Sequence, residues 1–137
     1  MSFERLLSGK GLELIHAALA ENAAGRGRAA EPLGAREISR RALDGSDPLC
    51  IETLDTFCAI LGTAAANLAV TQGAFGGIYI GGGIVPRLGD RFFASSFRAR
   101  FEAKGRFRDY LSAIPTPLIT DTLAALTGTA LALEQLG

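Results

Sequence analysis

Residues 75–87 read FGGIYIGGGIVPR, and the prediction of the fold is based first on this run. Its centre, residues 78–80, is Ile-Tyr-Ile, a β-branched and aromatic stretch typical of a strand buried on both faces, as in a parallel sheet. Gly81, Gly82 and Gly83 end this strand. They leave the main chain without side chains, so a flat or phosphorylated ligand can approach the backbone closely.

A second short apolar run, residues 116–120, predicts another strand, and Pro117 near its start indicates an early or edge position. Helical patterns alternate with the two strands from residue 47 onward, giving the order helix, strand, helix, strand, helix. Alternation of this kind predicts an α/β fold with a short parallel sheet packed by helices. Residues 1–46 are predicted to form a helical segment of the same domain, which spans 1–137.

The strongest helical pattern lies between Asp47 and Gly73. Asp47 followed by Pro48 is typical of a helix start, and glycine is typical of a helix end. Apolar residues recur between them at steps of three and four positions: Ile51, Leu54, Phe57, Cys58, Leu61, Ala65 and Leu68. Two strands are few for this helix and its neighbours to cover. Part of this architecture is therefore expected to be missing.

The chain has 137 residues, of which 48% are hydrophobic, and this composition is typical of a folded domain. Its 14 basic and 14 acidic residues give no net charge, so we expect neither nucleic acid nor a membrane as partner. The basic residues between 87 and 108 are interleaved with acidic ones, which favours a solvated charged face over an anion site. Without a signal peptide or an apolar run of membrane length, a cytoplasmic location is expected.

Several residues leave more than one interpretation open. The glycine run lacks the Gly-Lys-Ser/Thr of a P-loop and the GxGxxG spacing, so a tight turn and a ligand site are both compatible with it. Glu4 suits a surface position in a first helical turn, where the helix dipole favours it. Cys50 and Cys58 fit neither a metal pair nor a redox CxxC motif. His16, the only histidine, is expected to be a packed or surface residue.

Three blocks carry a resemblance to a known family. Residues 4–12 read ERLLSGKGL, residues 97–107 read FRARFEAKGRF, and the third block is 75–87. In their order along the chain, the three blocks resemble segments of bacterial glucokinases, and together they span nearly the whole chain. The resemblance implies transfer of the γ-phosphoryl group of ATP to the 6-hydroxyl of glucose, with Mg²⁺. It also implies a fold shared with actin, hexokinase and Hsp70, of which this chain would be a partial ribonuclease-H-like lobe.

The resemblance also implies roles for particular residues. Glu4 matches a glutamate that binds sugar hydroxyls, and a carboxylate can accept hydrogen bonds from two of them. Gly81, Gly82 and Gly83 match the segment against which the adenosine of ATP packs. Lys104 and Arg106 are typical of the family, but the resemblance gives them no role.

No catalytic residue is assigned in this chain. The sequence has no Asp-Gly-Gly-Thr phosphate motif, no Asn-Asp pair with the family's catalytic base and no Glu-Gly-Gly-His sugar motif. These are expected in an N-terminal lobe of glucokinase. Phosphoryl transfer depends on positioning and on electrostatic stabilisation of the transferred group. The chain is therefore expected to be the C-terminal part of the large lobe and to be inactive until the N-terminal lobe is supplied.

The expected partners are glucose, the N-terminal lobe and a second copy of the chain. A sheet without its remaining strands would expose an edge and the apolar stripe of the helix at 48–72, and such surfaces favour a dimer or larger assembly. The alternative function is a non-catalytic, sugar-kinase-like module for dimerisation or regulation.

Overall fold

Helices dominate the fold. The computed structural model describes residues 2–24, 32–121 and 123–136. Within them lie two 3-10 turns, Val85–Leu88 and Gly105–Phe107, and eight α-helices: α1 (Phe3–Leu6), α2 (Gly9–Ala24), α3 (Ala35–Asp44), α4 (Pro48–Gln72), α5 (Asp90–Ala94), α6 (Phe97–Glu102), α7 (Arg108–Ser112) and α8 (Ala124–Leu136).

The ends of α4 follow from its capping residues. The Asp47 carboxylate accepts hydrogen bonds from the backbone N–H of Leu49 (2.9 Å) and of Cys50 (3.3 Å), which satisfies two of the free donors at the helix start. Gly73 ends the helix in a left-handed conformation, with φ of 59°. Both predicted ends of this helix are confirmed.

Helix α4 forms the centre of the core, and α2, α3 and α6 pack around it. Its buried side chains follow the predicted stripe as far as Ala65, but Leu68 is 51% exposed. Each end of α4 therefore contributes a different face to the core. The buried residues of α4 are Cys50, Thr53, Leu54, Phe57, Cys58, Gly62, Ala65, Ala66 and Ala69.

By length and hydropathy alone, α4 could also cross a membrane, contrary to the expectation that the sequence has no such segment. Its most apolar window has a mean hydropathy of 1.4, and 44% of that window is buried inside the protein. Core helices of soluble proteins meet the same criterion. Among the described residues, four helices contact α4, and most of its apolar stripe is buried in the core, so the expectation that this stripe would be exposed is wrong.

Helices α4 and α6 come into close contact at Gly62. A Cβ atom placed on Gly62 would lie 2.3 Å from the carbonyl oxygen of Phe97 and 3.2 Å from the backbone nitrogen of Phe101. Only glycine allows the two backbones to approach this closely. Phe97 and Phe101 are both buried beside it, with ring centroids 6.2 Å apart.

The predicted short parallel sheet is wrong. The described residues contain one isolated parallel bridge, between Ile80 and Leu118. Ile78 N–H donates to the Pro115 carbonyl (2.9 Å), Ile80 N–H donates to the Pro117 carbonyl (2.8 Å), and Ile119 N–H donates to the Ile80 carbonyl (2.8 Å). The next bond of a parallel ladder would run from residue 117 to the Ile78 carbonyl. Proline has no N–H to make it, so the pairing stops at one bridge.

Burial of the first segment on both faces is also wrong. Ile78 and Ile80 point inward and are 9% and 5% exposed, whereas Tyr79 between them is 69% exposed. The segment therefore covers the core with one face only, and its alternation is that of an extended chain at the surface.

Helix α8 lies at the surface with almost all of its described side chains exposed, including Leu126, Leu131 and Leu133. It begins after Asp121, whose carboxylate accepts a hydrogen bond from Leu123 N–H (2.8 Å). Thr122, which the sequence also offers as a cap for this helix, lies outside the described residues. The composition of residues 21–32 predicts an exposed loop; residues 25–31 lie outside the described residues, and residues 21–24 continue α2.

Candidate functional site

The glycine run forms an exposed strip of bare backbone directly after the Ile80–Leu118 bridge. Gly81, Gly82 and Gly83 are all exposed. A Cβ on Gly81 would lie 3.4 Å from Cδ1 of Ile119, whereas one on Gly82 or Gly83 would meet nothing within 4 Å. Gly82 has φ of 110°, a conformation that residues with a side chain rarely adopt. The strip can therefore take a flat ligand against its main chain.

The residues on both sides of the run hold it to the core. Ile80 before it is buried, and Val85 and Leu88 in the following 3-10 turn are 4% and 2% exposed. Arg87 N–H donates to the Ile84 carbonyl (3.1 Å) and closes that turn. The exposed glycines are thus carried between two buried anchors, which limits how far the strip can move.

The support beneath the run is formed by residues that were not predicted to belong to a functional site. Pro115 and Pro117 supply the carbonyls that pair with Ile78 and Ile80. Tyr110 donates its hydroxyl to the carbonyls of Ala69 (3.2 Å) and Ala74 (2.9 Å), and so joins α7 to the end of α4. These partners are 35 or more residues apart along the chain, and no local sequence pattern marks them.

Glu4 lies on α1 with its side chain exposed. A tight turn between α1 and α2 sets its position. Ser8 Oγ donates to the Arg5 carbonyl and accepts from Gly11 N–H, each at 3.0 Å, so Ser8 caps the start of α2. A Cβ on Gly11 would lie 2.0 Å from the Leu6 carbonyl oxygen, so only glycine fits where α1 meets α2. The carboxylate of Glu4 is therefore held by a compact backbone and remains free to accept hydrogen bonds.

The structure does not join Glu4 to the glycine run by any hydrogen bond within its described residues. Glu4 belongs to the part of the chain that packs on α2 and α4, and the glycines belong to the part beside residues 115–119. The described residues contain no group of three or more metal-ligating side chains. Taken alone, these two sites provide contact surfaces rather than a complete reaction centre.

Two family-typical residues have structural contacts. Lys104 Nζ donates to the side-chain oxygen of Asn67, which ties the segment after α6 to α4. The Arg106 guanidinium lies 5.1 Å from the centroid of the Phe107 ring, within the range of a cation–π contact. The prediction of a solvated charged face between residues 87 and 108 is therefore wrong at Lys104 and at Arg98, which are both partly buried and hydrogen-bonded.

The buried titratable groups do not form a reactive site. Burial raises the pKa of the Cys50 thiol to about 11 and also raises the pKa of Cys58, so both thiols stay protonated at neutral pH. His16 is 3% exposed, and burial lowers its pKa. Its Nε2 atom has no hydrogen-bond partner among the described residues. His16 is a packed residue, one of the two positions expected for it.

Comparison with known proteins establishes the family. The family model described as "Glucokinase" matches residues 1–136. The chain belongs to the glucokinase family. A glucokinase of Neisseria meningitidis serogroup C is 48% identical over 135 residues, and the match covers 98% of this chain and 40% of the relative. A relative named "Bifunctional protein glk", from Paraburkholderia xenovorans, is 53% identical and covers 99% of this chain, but the match spans 21% of that protein.

A solved glucokinase has the same fold over the matched region. The crystal structure of glucokinase from an Antarctic psychrotroph superimposes with a TM-score of 0.85 at 39% identity, and the match covers 98% of this chain and 41% of that protein. The family assignment therefore rests on both sequence and structure. The chain spans between about a fifth and two fifths of the lengths of these glucokinase relatives.

Proposed function

We propose that the chain is the C-terminal part of the large lobe of a glucokinase, which phosphorylates glucose at the expense of ATP once the N-terminal lobe is present. The observation that carries this proposal is the 48% identity to a glucokinase over almost the whole chain, combined with a match that spans 40% of that relative. The proposal includes Mg²⁺ as the cation of the complete enzyme, a cytoplasmic location, and membership of the wider sugar-kinase superfamily.

The nucleotide part of the proposal places the adenosine of ATP against Gly81, Gly82 and Gly83. Their exposed main chain and the open space around Gly82 and Gly83 support this placement. A side chain at either position would occupy the surface on which a flat purine could lie. The buried anchors at Ile80 and Val85 support it further, since a preorganised surface loses less entropy on binding.

The sugar part of the proposal assigns Glu4 to the hydroxyls of glucose. Its carboxylate is exposed, and the Ser8 and Gly11 turn holds the helix that carries it. When other groups exclude water from a carboxylate, any polar group that is left there without a hydrogen-bond partner costs free energy. The carboxylate then favours a ligand whose hydroxyls can bind it, such as a polyol. We assign that exclusion to the N-terminal lobe.

A chimaera tests the proposal. Residues 1–136 of this chain replace the matching region of the Neisseria meningitidis glucokinase, and glucose 6-phosphate production is followed in a coupled assay. We expect ATP-dependent activity from the chimaera and none from the 137-residue chain alone. Glu4→Gln in the chimaera should raise KM for glucose, because an amide accepts fewer hydrogen bonds than a carboxylate.

The matched control is Glu52→Gln, which removes an equal charge from an exposed position on α4. It should leave both KM values unchanged. A folded but inactive chimaera would favour the alternative, a non-catalytic module. An active chimaera in which Glu4→Gln behaves like Glu52→Gln would remove Glu4 from the sugar site while leaving the family activity in place.

We also propose that the isolated chain associates with a second copy of itself through α8. This helix is apolar on most sides, with Leu126, Leu131 and Leu133 exposed and Glu134 as its one charged residue. A second copy offers the same apolar surface, so a symmetric pair would cover both helices. Light scattering should show dimers that Leu126→Glu dissociates, whereas Gln72→Glu, at an exposed position on α4, should not.

A further inference from the structure

The Arg98 side chain makes more hydrogen bonds than any other side chain in the described residues. Its Nη1 donates to the Ile114 carbonyl and its Nη2 donates to the Ser112 carbonyl, both at 2.8 Å. Longer contacts of 3.4 Å reach Thr116 Oγ1 and the Leu111 carbonyl. One guanidinium therefore binds a whole turn, residues 111–116, at the end of α7.

Contacts on α6 fix the orientation of the guanidinium. Its Nε donates to Glu102 Oε1 at 2.7 Å, one helical turn further along. The group also lies 5.2 Å from the centroid of the Phe101 ring, which is fully buried. The planar, forked Arg98 guanidinium is already oriented by the Glu102 carboxylate and the Phe101 ring. It therefore loses little further conformational entropy when it binds the carbonyls.

The turn that Arg98 binds leads directly into the support of the glycine run. The carbonyls of Ser112 and Ile114 face Arg98, whereas those of Pro115 and Pro117 face away from it and pair with Ile78 and Ile80. The two prolines have no N–H, so this segment has few donors with which to order itself. Its position depends on the groups that bind its carbonyls, and Arg98 is the only charged one among the described residues.

We infer that Arg98 is a positioning residue for the nucleotide surface at Gly81–Gly83. It acts through residues 111–119, ending at Ile119, whose N–H donates to the carbonyl of Ile80, the residue before Gly81. The inference rests on the proposed function for the role of those glycines. Its mechanical part, that Arg98 holds the 111–119 segment against Ile78 and Ile80, does not depend on that role.

Hydrogen exchange on the 137-residue chain tests the mechanical part. Arg98→Gln removes the fork, and Arg98→Lys keeps the charge with a single donor atom, which cannot bind several carbonyls at once. The matched control is Arg100→Gln on the same helix; Arg100 is exposed, and its side chain makes no hydrogen bond within the described residues. Because each charge-assisted hydrogen bond is worth roughly tenfold in an equilibrium, amide exchange at Ile80 and Ile119 should accelerate by about tenfold or more in both Arg98 variants.

Kinetics of the chimaera test the functional part. Both Arg98 variants should raise KM for ATP severalfold and leave KM for glucose unchanged, whereas Arg100→Gln should change neither. A general loss of stability would affect both substrates, so the split between the two KM values identifies positioning. Circular dichroism confirms that each variant is folded.

Each result decides a different question. Equal exchange in Arg98→Gln and Arg100→Gln overturns the inference, and so does accelerated exchange with an unchanged KM for ATP. An inactive chimaera refutes the proposed function instead, and the exchange measurement then still shows whether Arg98 orders the segment.

Discussion

The contact between α4 and α6 at Gly62 gives a prediction whose sign can be worked out. Replacing this glycine by alanine places a Cβ 2.3 Å from the Phe97 carbonyl oxygen, whereas ordinary contact begins at 3.4 Å. The two helices would have to separate by about 1.1 Å at this point. The obstructing atom belongs to the backbone, so no side-chain rotation can relieve the contact.

Two opposing terms set the magnitude for Gly62→Ala. Alanine favours a helix interior over glycine by about 1 kcal/mol, and overpacking a well-filled core costs roughly 1–3 kcal/mol. Because the backbone must move, we take the upper end of the second range, so the free energy of unfolding should fall by about 2 kcal/mol. Urea titration followed by circular dichroism measures this change, with an unchanged slope against denaturant concentration.

Gly128→Ala is the matched control. It makes the same substitution in α8, where a Cβ would meet nothing within 4 Å. Only the helix-propensity term then applies, so this variant should be at least as stable as the parent chain. A Gly62→Ala protein as stable as Gly128→Ala would refute the close approach of α4 and α6.

Three further predictions concern buried polar groups. Tyr110→Phe removes the hydroxyl that binds the Ala69 and Ala74 carbonyls, and urea titration should show a loss of about 1 kcal/mol. Burial lowers the pKa of His16 in the folded chain, so the unfolded chain binds its proton more readily. The free energy of unfolding should therefore fall as pH drops from about 6.5 toward the range in which carboxylates titrate, and His16→Gln should abolish the slope in that interval. A thiol reagent should label Cys50 and Cys58 only after unfolding, and rapid labelling of the native chain at neutral pH would contradict their burial.

The helices could be predicted because their signals are local. Asp47 and Gly73 mark the ends of α4 by chemistry that acts within one turn, and the structure uses both residues as caps. The proposed sugar residue, Glu4, was reached only through the family resemblance, whereas the glycine run Gly81–Gly83 was marked by its bare main chain and was linked to adenosine only by the resemblance. Their assignment stays a prediction, although the structure shows them exposed.

The sheet was predicted wrongly because strand composition does not show where a partner lies. Residues 78–80 have the composition of a strand, but Pro117 removes the donor for the next rung, and the described residues hold one bridge. Arg98 was missed for a related reason. Its partners are backbone carbonyls 13 to 16 positions away. Every residue type has a carbonyl, so the sequence does not indicate which ones Arg98 binds.

The short connection between Ile119 and α8 has a consequence for assembly. Only four residues separate Ile119, whose N–H donates to the Ile80 carbonyl just before the glycine run, from Ala124, where the exposed apolar helix starts. A connection this short allows little independent displacement of the two ends. We therefore expect that a surface that captures α8 also restrains the segment beneath the glycine run, so association of the chain and ATP binding at the proposed nucleotide surface should depend on one another.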